Sequence, residues 1–204
     1  MEFMLLPLLV FALQDQKVAD SATNAKPLQA GAIAPDSSLK DMDGKPTSVK
    51  KVLAGEKTVL VFFRGGWCPF CNAQLADLGQ SESKVIEAGW KIVAITPDTP
   101  EQIRKTVDKQ KLSFQIYSDS PAEALKAFGV AFRVDDETYS LYKDKYKLDL
   151  ETWSGQRHHI LPVPSVYLID EEGKIRFSYS NPDYKVRLKS GQILEEIHKL
   201  DGKR

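Results

Sequence analysis

Cysteine is scarce: the chain of 204 residues carries two, Cys68 and Cys71, three positions apart. So few, so close together, they exclude a small fold stapled by dispersed disulfides. A redox pair or half of a metal site remains. Histidine is limited to three residues, His158, His159 and His198. A structural zinc needs four ligands, and adjacent histidines in extended chain point to opposite sides. A surplus of one charge is also lacking, since Lys plus Arg and Asp plus Glu each number 28 with no long run of either sign. That balance argues against nucleic acid or an anionic membrane as the main partner. After residues 4–13 no stretch is apolar enough to cross a bilayer, and no internal repeat is found.

What is present is ordinary for a globular chain, with 42% hydrophobic and 27% charged residues. The length suits one decorated domain with a substantial core. The apolar run at 4–13 has the length of a signal peptide. No Lys or Arg precedes it, and Phe11-Ala12-Leu13-Gln14 is a poor small-x-small exit. Two readings stand, a cleaved leader over 1–14 or an apolar terminus, and export is favoured. No Cys follows the run to carry a lipid anchor. The protein is then periplasmic or secreted if the leader is cleaved, and cytoplasmic otherwise. Residues 15–30 are polar and small, the composition of a flexible linker, and 31–200 form the domain.

Within that domain Ala34-Pro35-Asp36 and the turn at Asp43-Gly44 bracket a β-hairpin. Residues 58–63 are β-branched and aromatic throughout, predicting a strand buried on both faces. Gly65-Gly66 breaks it, and a helix follows with Leu75, Leu78, Val85 and Ile86 at helical spacing. Strands are predicted at 91–95 and 114–117, helices at 100–110 and 121–128. A hairpin of 166–169 with 175–179 follows, and then an amphipathic helix over 191–200. The alternation implies right-handed βαβ crossovers and a sheet with a parallel core. Residues 132–161 stand outside it and carry Tyr139, Tyr142, Tyr146 and Trp153 at spacings that line one side of a helix. An extra helix packed on the sheet edge is favoured there over a lid or substrate wall.

The chemistry concentrates in Arg64-Gly65-Gly66-Trp67-Cys68-Pro69-Phe70-Cys71, between a buried strand and a helix start. A thiol there faces unsatisfied N–H groups and the positive end of the helix dipole, which favour the thiolate. Thiol pKa values in such places fall from about 8.5 to roughly 3.5–7.5. Cys68 is therefore read as an exposed nucleophile, and Cys71 as the partner that closes a disulfide with it. Pro69 occupies the first helical turn, where its missing N–H costs nothing. Arg64 adds positive potential. His158 and His159 read as a solvated loop, with a metal ligand or proton donor as the sharper alternative. Asp98 and Glu101 read as turn and helix-start charges. Asp77 is assigned no role.

Trp67-Cys68-Pro69-Phe70-Cys71 followed by Val163-Pro164-Ser165-Val166-Tyr167-Leu168-Ile169-Asp170 resembles a thioredoxin-fold protein. The resemblance implies a central mixed sheet flanked by helices, with an N-terminal hairpin and an insertion before the last hairpin. It also implies a cis-proline at Pro164 packed against the cysteines. Together with Asn181-Pro182-Asp183-Tyr184 and Arg187, the active-site segment resembles the peroxiredoxin-like branch of the AhpC/TSA family over roughly 28–200. That family's Pro-x-x-x-Thr-x-x-Cys pattern is broken here, because Val61 and Gly65 hold the Pro and Thr positions. Its Arg near the strand is replaced by Pro164, with Arg64 or Arg133 as stand-ins. The resemblance implies a thiol oxidoreductase in which Cys68 attacks a disulfide or hydroperoxide and Cys71 resolves the product. An external dithiol of thioredoxin type restores the pair, and no cofactor or metal is required. Catalysis is assigned to Cys68 and Cys71, with Trp67, Pro69, Pro164 and Arg64 in support. Disulfides are expected to react faster than hydrogen peroxide. Hydroperoxide reduction and a copper-holding assembly factor are the alternatives.

Overall fold

The computed structural model describes residues 18–202. The apolar run at 4–13 lies outside them. Strands β1 (Ser38–Lys40) and β2 (Pro46–Ser48) form the predicted hairpin, and the short helix α1 (Val49–Leu53) follows. Then β3 (Thr58–Phe62), α2 (Pro69–Glu87), β4 (Lys91–Thr96), α3 (Pro100–Gln110), β5 (Gln115–Ser118) and α4 (Glu123–Ala127) alternate. A second two-stranded ribbon pairs β6 (Ala131–Arg133) with β7 (Ile160–Pro162), and between them lie α5 (Asp136–Tyr146) and α6 (Leu150–Ser154). The antiparallel hairpin β8 (Ser165–Ile169) and β9 (Ile175–Ser180) leads to α7 (Ser190–Leu200).

The main sheet runs β2-β1-β5-β4-β3-β8-β9, parallel among β3, β4 and β5 and antiparallel at both flanks. This is the thioredoxin-like mixed sheet implied by the motifs. All five residues of β3 are buried, as its unbroken apolar run predicts. Successive side chains point to opposite faces. Val59 and Val61 join Leu75 and Leu78 of α2, Ile103 of α3 and Ile193 of α7 in one core. Leu60 and Phe62 join Leu125 of α4 and Tyr167 of β8 in the other. Sheet and helices thereby fix the C-terminal end of β3, where the cysteine loop begins. None of the helices among the described residues is long and apolar enough to cross a membrane.

Three expectations are corrected. From residue 18 onward the segment read as a flexible linker is held to the domain. The Ala19 N–H donates to the Ala131 carbonyl and the Leu28 N–H to the Phe128 carbonyl, so its backbone groups have fixed partners. Residues 132–161 form two helices rather than one, and α5 buries none of its own residues. They cover the cysteine loop instead of the sheet edge. No peptide bond among the described residues is cis, so Pro164 is trans. The chain runs extended from β7 into β8, with the Val163 N–H bonded to the Val130 carbonyl and Ser165 in register with Phe62. A trans peptide carries it from one sheet to the other without reversal.

Candidate active site

The loop between β3 and α2 is shaped by what its glycines lack. Gly65 has φ +150°, and a Cβ there would lie 2.3 Å from Trp67 Nε1 and 2.7 Å from Asp98 Oδ1. A Cβ on Gly66 would lie 1.8 Å from Thr106 Oγ1. The loop is thus pressed between α3 and the β4–α3 turn. Asp98, buried at 1% exposure, accepts the Gly66 N–H at 2.7 Å, and the Asn72 side chain donates to the Gly66 carbonyl at 2.8 Å. Burial pushes the Asp98 carboxyl well above the usual carboxylate range. Asp98 is therefore an internal brace of the loop, not the turn charge read from sequence. Glu101 is at the surface, paired with Lys105. Asp77 accepts from the N–H and hydroxyl of Ser190 and so caps α7.

Cys68 is the N-cap of α2, with extended backbone (φ −86°, ψ 116°), and Pro69 opens the helix as predicted. Both thiols are free. The sequence places Cys68 at the surface, yet it is 1% exposed: it belongs to the core around Val61 and Leu75 and borders the cavity lined by α5, α6 and Tyr184. Its pKa is lowered to about 6, first by the hydrogen bond from the Cys71 thiol, then by the Cys71 backbone N–H and the guanidinium groups of Arg64 and Arg187. Burial and the neighbouring Cys68 push Cys71 well above the ordinary thiol range. The pair is asymmetric in the sense a reaction needs. At neutral pH Cys68 is the thiolate and Cys71 keeps its proton as donor.

Arg187 is the residue whose part the sequence reading missed. Its Nη2 lies 3.2 Å from Cys71 Sγ and 4.0 Å from Cys68 Sγ. Nη1 donates to Gln74 Oε1 at 3.0 Å and Nε to the Tyr184 carbonyl at 2.7 Å, which fixes the guanidinium plane. The only sequence signal was its place in the Asn181-to-Arg187 segment. Arg133, the suggested stand-in, donates to the His158 carbonyl and does not line the Cys68 cavity. Arg64 does line it, together with Trp67, Pro69, Phe70, Tyr142 and Tyr184. Pro164 does not line it, but lines a neighbouring cavity of about 220 Å³ that shares Arg64, Tyr142 and Tyr184 with it.

The wall opposite Cys68 comes from the insertion. Tyr142, Tyr146, Lys147, Leu148 and Trp153 line the same cavity of about 600 Å³. Of the aromatic residues in that spacing, Tyr142, Tyr146 and Trp153 thus line the cavity, while Tyr139 packs on His159. Val134, Leu150 and Leu161 make a small core of their own beneath it, against which Trp67 packs. His159 stacks on Tyr139 and bonds Glu151, while His158 bonds the Ser120 carbonyl. Both histidines tie the insertion together and to the main sheet. Among the described residues no three His, Cys, Asp or Glu side chains converge to hold a metal.

Thiolate absorbance of the reduced protein is expected to titrate with a midpoint near the value of about 6. Reactivity with iodoacetamide should rise through the same range and level off above it, because only the thiolate attacks. Cys71→Ala, which removes the S–H donor, should move the midpoint upward. A midpoint near the ordinary value of about 8.5 would contradict the asymmetry.

A family model described as the AhpC/TSA family matches residues 30–178. Peroxiredoxin Bcp of Escherichia coli (strain K12) is 31% identical over 104 residues, which span 51% of this chain and 66% of that protein. A putative peroxiredoxin of Mycobacterium tuberculosis is 29% identical over 153 residues, 75% of this chain and 85% of its own. The crystal structure of peroxidoxin BcpB from Mycobacterium tuberculosis superposes with a TM-score of 0.64 at 17% identity, covering 87% of this chain and 99% of that one.

Proposed function

Because the chain belongs to the AhpC/TSA family, we propose that it is a two-cysteine thiol oxidoreductase that reduces hydroperoxides at the expense of an external dithiol. The observation that carries this reading is the Arg187 guanidinium set against both sulfurs. The Cys68 thiolate attacks the outer peroxide oxygen, the O–O bond breaks, and the departing alkoxide or hydroxide takes a proton. Two electrons leave sulfur, and Cys68 becomes a sulfenic acid. Arg187 stabilises charge developing on the oxygens. Cys71 then attacks the sulfenic sulfur, water leaves, and a Cys68–Cys71 disulfide forms. A dithiol of thioredoxin type reduces that disulfide by exchange.

Gly65 favours a second reading. It places no hydroxyl where the family pattern has Thr, and disulfide exchange needs none. Stopped-flow oxidation of the reduced protein by hydrogen peroxide and by a small-molecule disulfide decides between them. Arg187 replaces one of the two donors that the motif comparison found missing, so peroxide is expected to react the faster. A faster disulfide reaction returns the order to that expected from the sequence. Neither oxidant should react with Cys68→Ser.

Export belongs to the same proposal, motivated by the apolar run at 4–13. The mature chain then begins near Gln14, leaving 31–200 as the catalytic domain. Intact mass of protein from its native host should show the leader removed. Soluble protein retaining the full leader would rule export out.

A further inference from the structure

We propose that Arg64 is a carboxylate seat beside Cys68, and that the cavity takes organic hydroperoxides carrying an anionic carboxylate on an apolar body. This rests on the hydroperoxide reading of the same site. Arg64 is 3% exposed, yet among the described residues it makes no ion pair with a carboxylate, although Asp20 and Asp135 line the neighbouring cavity that it also borders. Its one hydrogen bond goes from Nη2 to the neutral Tyr142 hydroxyl at 2.7 Å, and its Nε is buried with no partner. Aromatic rings surround it instead, with Tyr184, Trp67 and Tyr142 centred 4.2, 5.0 and 5.9 Å from the guanidinium carbon. Ring faces attract a cation but supply no formal charge. The one anion beside it is the Cys68 thiolate, and Nε remains unbonded, whereas buried charges are ordinarily both paired and fully hydrogen-bonded.

The surroundings say what the missing partner is. No Asp or Glu lines the cavity, and besides Arg64 and the Cys68 thiolate its charged residue is Lys147. Two cations against one thiolate leave the cavity a net positive charge, in a chain with 28 acidic and 28 basic residues. The remaining wall is largely aromatic and aliphatic, including Trp67, Leu141 and Trp153, and the volume of about 600 Å³ is that of a site for a sizeable organic molecule. Hydrogen peroxide, little larger than water, uses almost none of it. An apolar body against the insertion and a carboxylate on Arg64 would satisfy both the wall and the unbonded Nε. The planar fork of arginine suits a carboxylate. Cys68 opens onto the same space, so the seated molecule presents its O–O bond to the thiolate.

The seat is tested first without chemistry. In Cys68→Ser, para-isopropylbenzoate is expected to bind about tenfold or more tightly than its methyl ester, as a charge-assisted bond implies. Adding Arg64→Gln should abolish that difference. If Arg64→Gln does not fold, Arg64→Lys carries the comparison and should weaken the acid while leaving the ester. In the protein with both cysteines, para-carboxy cumene hydroperoxide should oxidise Cys68 faster than its methyl ester by a similar ratio. Comparing acid with ester within one protein removes the influence of Arg64 on the thiolate itself. Equal binding of acid and ester, or a preference that survives replacement of Arg64, overturns the seat. A binding preference with no oxidation by any hydroperoxide leaves the seat standing and overturns the reaction proposed above.

Discussion

Arg187→Ala is expected to slow oxidation of the reduced protein by hydrogen peroxide by about 10²–10³-fold, the usual cost of removing one donor from a site of developing negative charge. Two effects add. The peroxide oxygens lose a hydrogen-bond donor, and Cys68 loses one of the cations that hold its pKa at about 6, so less thiolate is present at neutral pH. The titration midpoint of Cys68 should rise in the same variant, which a merely structural role would not produce. Arg187→Lys keeps the charge, but a single ammonium does not reach the sulfurs, Gln74 and the Tyr184 carbonyl together, so only part of the rate should return. Gln74→Leu, which frees the guanidinium at one end, should lower the peroxide rate less than Arg187→Ala. An unchanged peroxide rate in Arg187→Ala would remove the observation on which the proposed function rests.

Gly65→Thr, the change that rewrites the loop toward the family pattern, is expected to destabilise the fold rather than to improve catalysis. At φ +150° a β-branched residue is strained by about 1–3 kcal/mol. Its Cβ would also collide with Trp67 Nε1 and Asp98 Oδ1, at 2.3 and 2.7 Å. Overpacking of that kind costs about 1–3 kcal/mol and occasionally more. Gly66→Ala should be comparably damaging, since Thr106 sits on a buried face of α3 at 1.8 Å from the added carbon. Against a typical total of about 5–15 kcal/mol, either change removes a large share. Urea unfolding of the reduced proteins reads the loss directly. A Gly65→Thr protein as stable as the parent, with faster peroxide chemistry, would show that the loop accepts the hydroxyl.

The β3 run, the glycine break, the helix start at Pro69 and the Cys68–Cys71 pair were legible in the sequence because each is local. Alternating burial needs only the period of a strand, and a thiol at a helix start needs only neighbouring residues. The order of strands and helices was legible for the same reason, and with it the mixed sheet. The contacts that turn those elements into a site were not. Arg187 meets Cys71 across 116 positions of chain, Tyr142 meets Arg64 across 78, and Asp98 meets Gly66 across 32. No spacing rule encodes such distances, so the sequence offers Arg64 and Arg133 equally, whereas the β9–α7 loop brings Arg187 against the sulfurs. The isomer at Pro164 was equally undetermined, because the two forms of an X–Pro bond differ by only about 0.5–1 kcal/mol before tertiary context acts. The burial of Cys68 depended on the core that β3, α2, α3 and α7 build together. By itself the sequence determined where the two thiols stand, at the break between a buried strand and a helix. Tertiary structure decided which charges and rings surround them, because those come from segments remote in the chain that meet only when the sheet and its two cores bring them together.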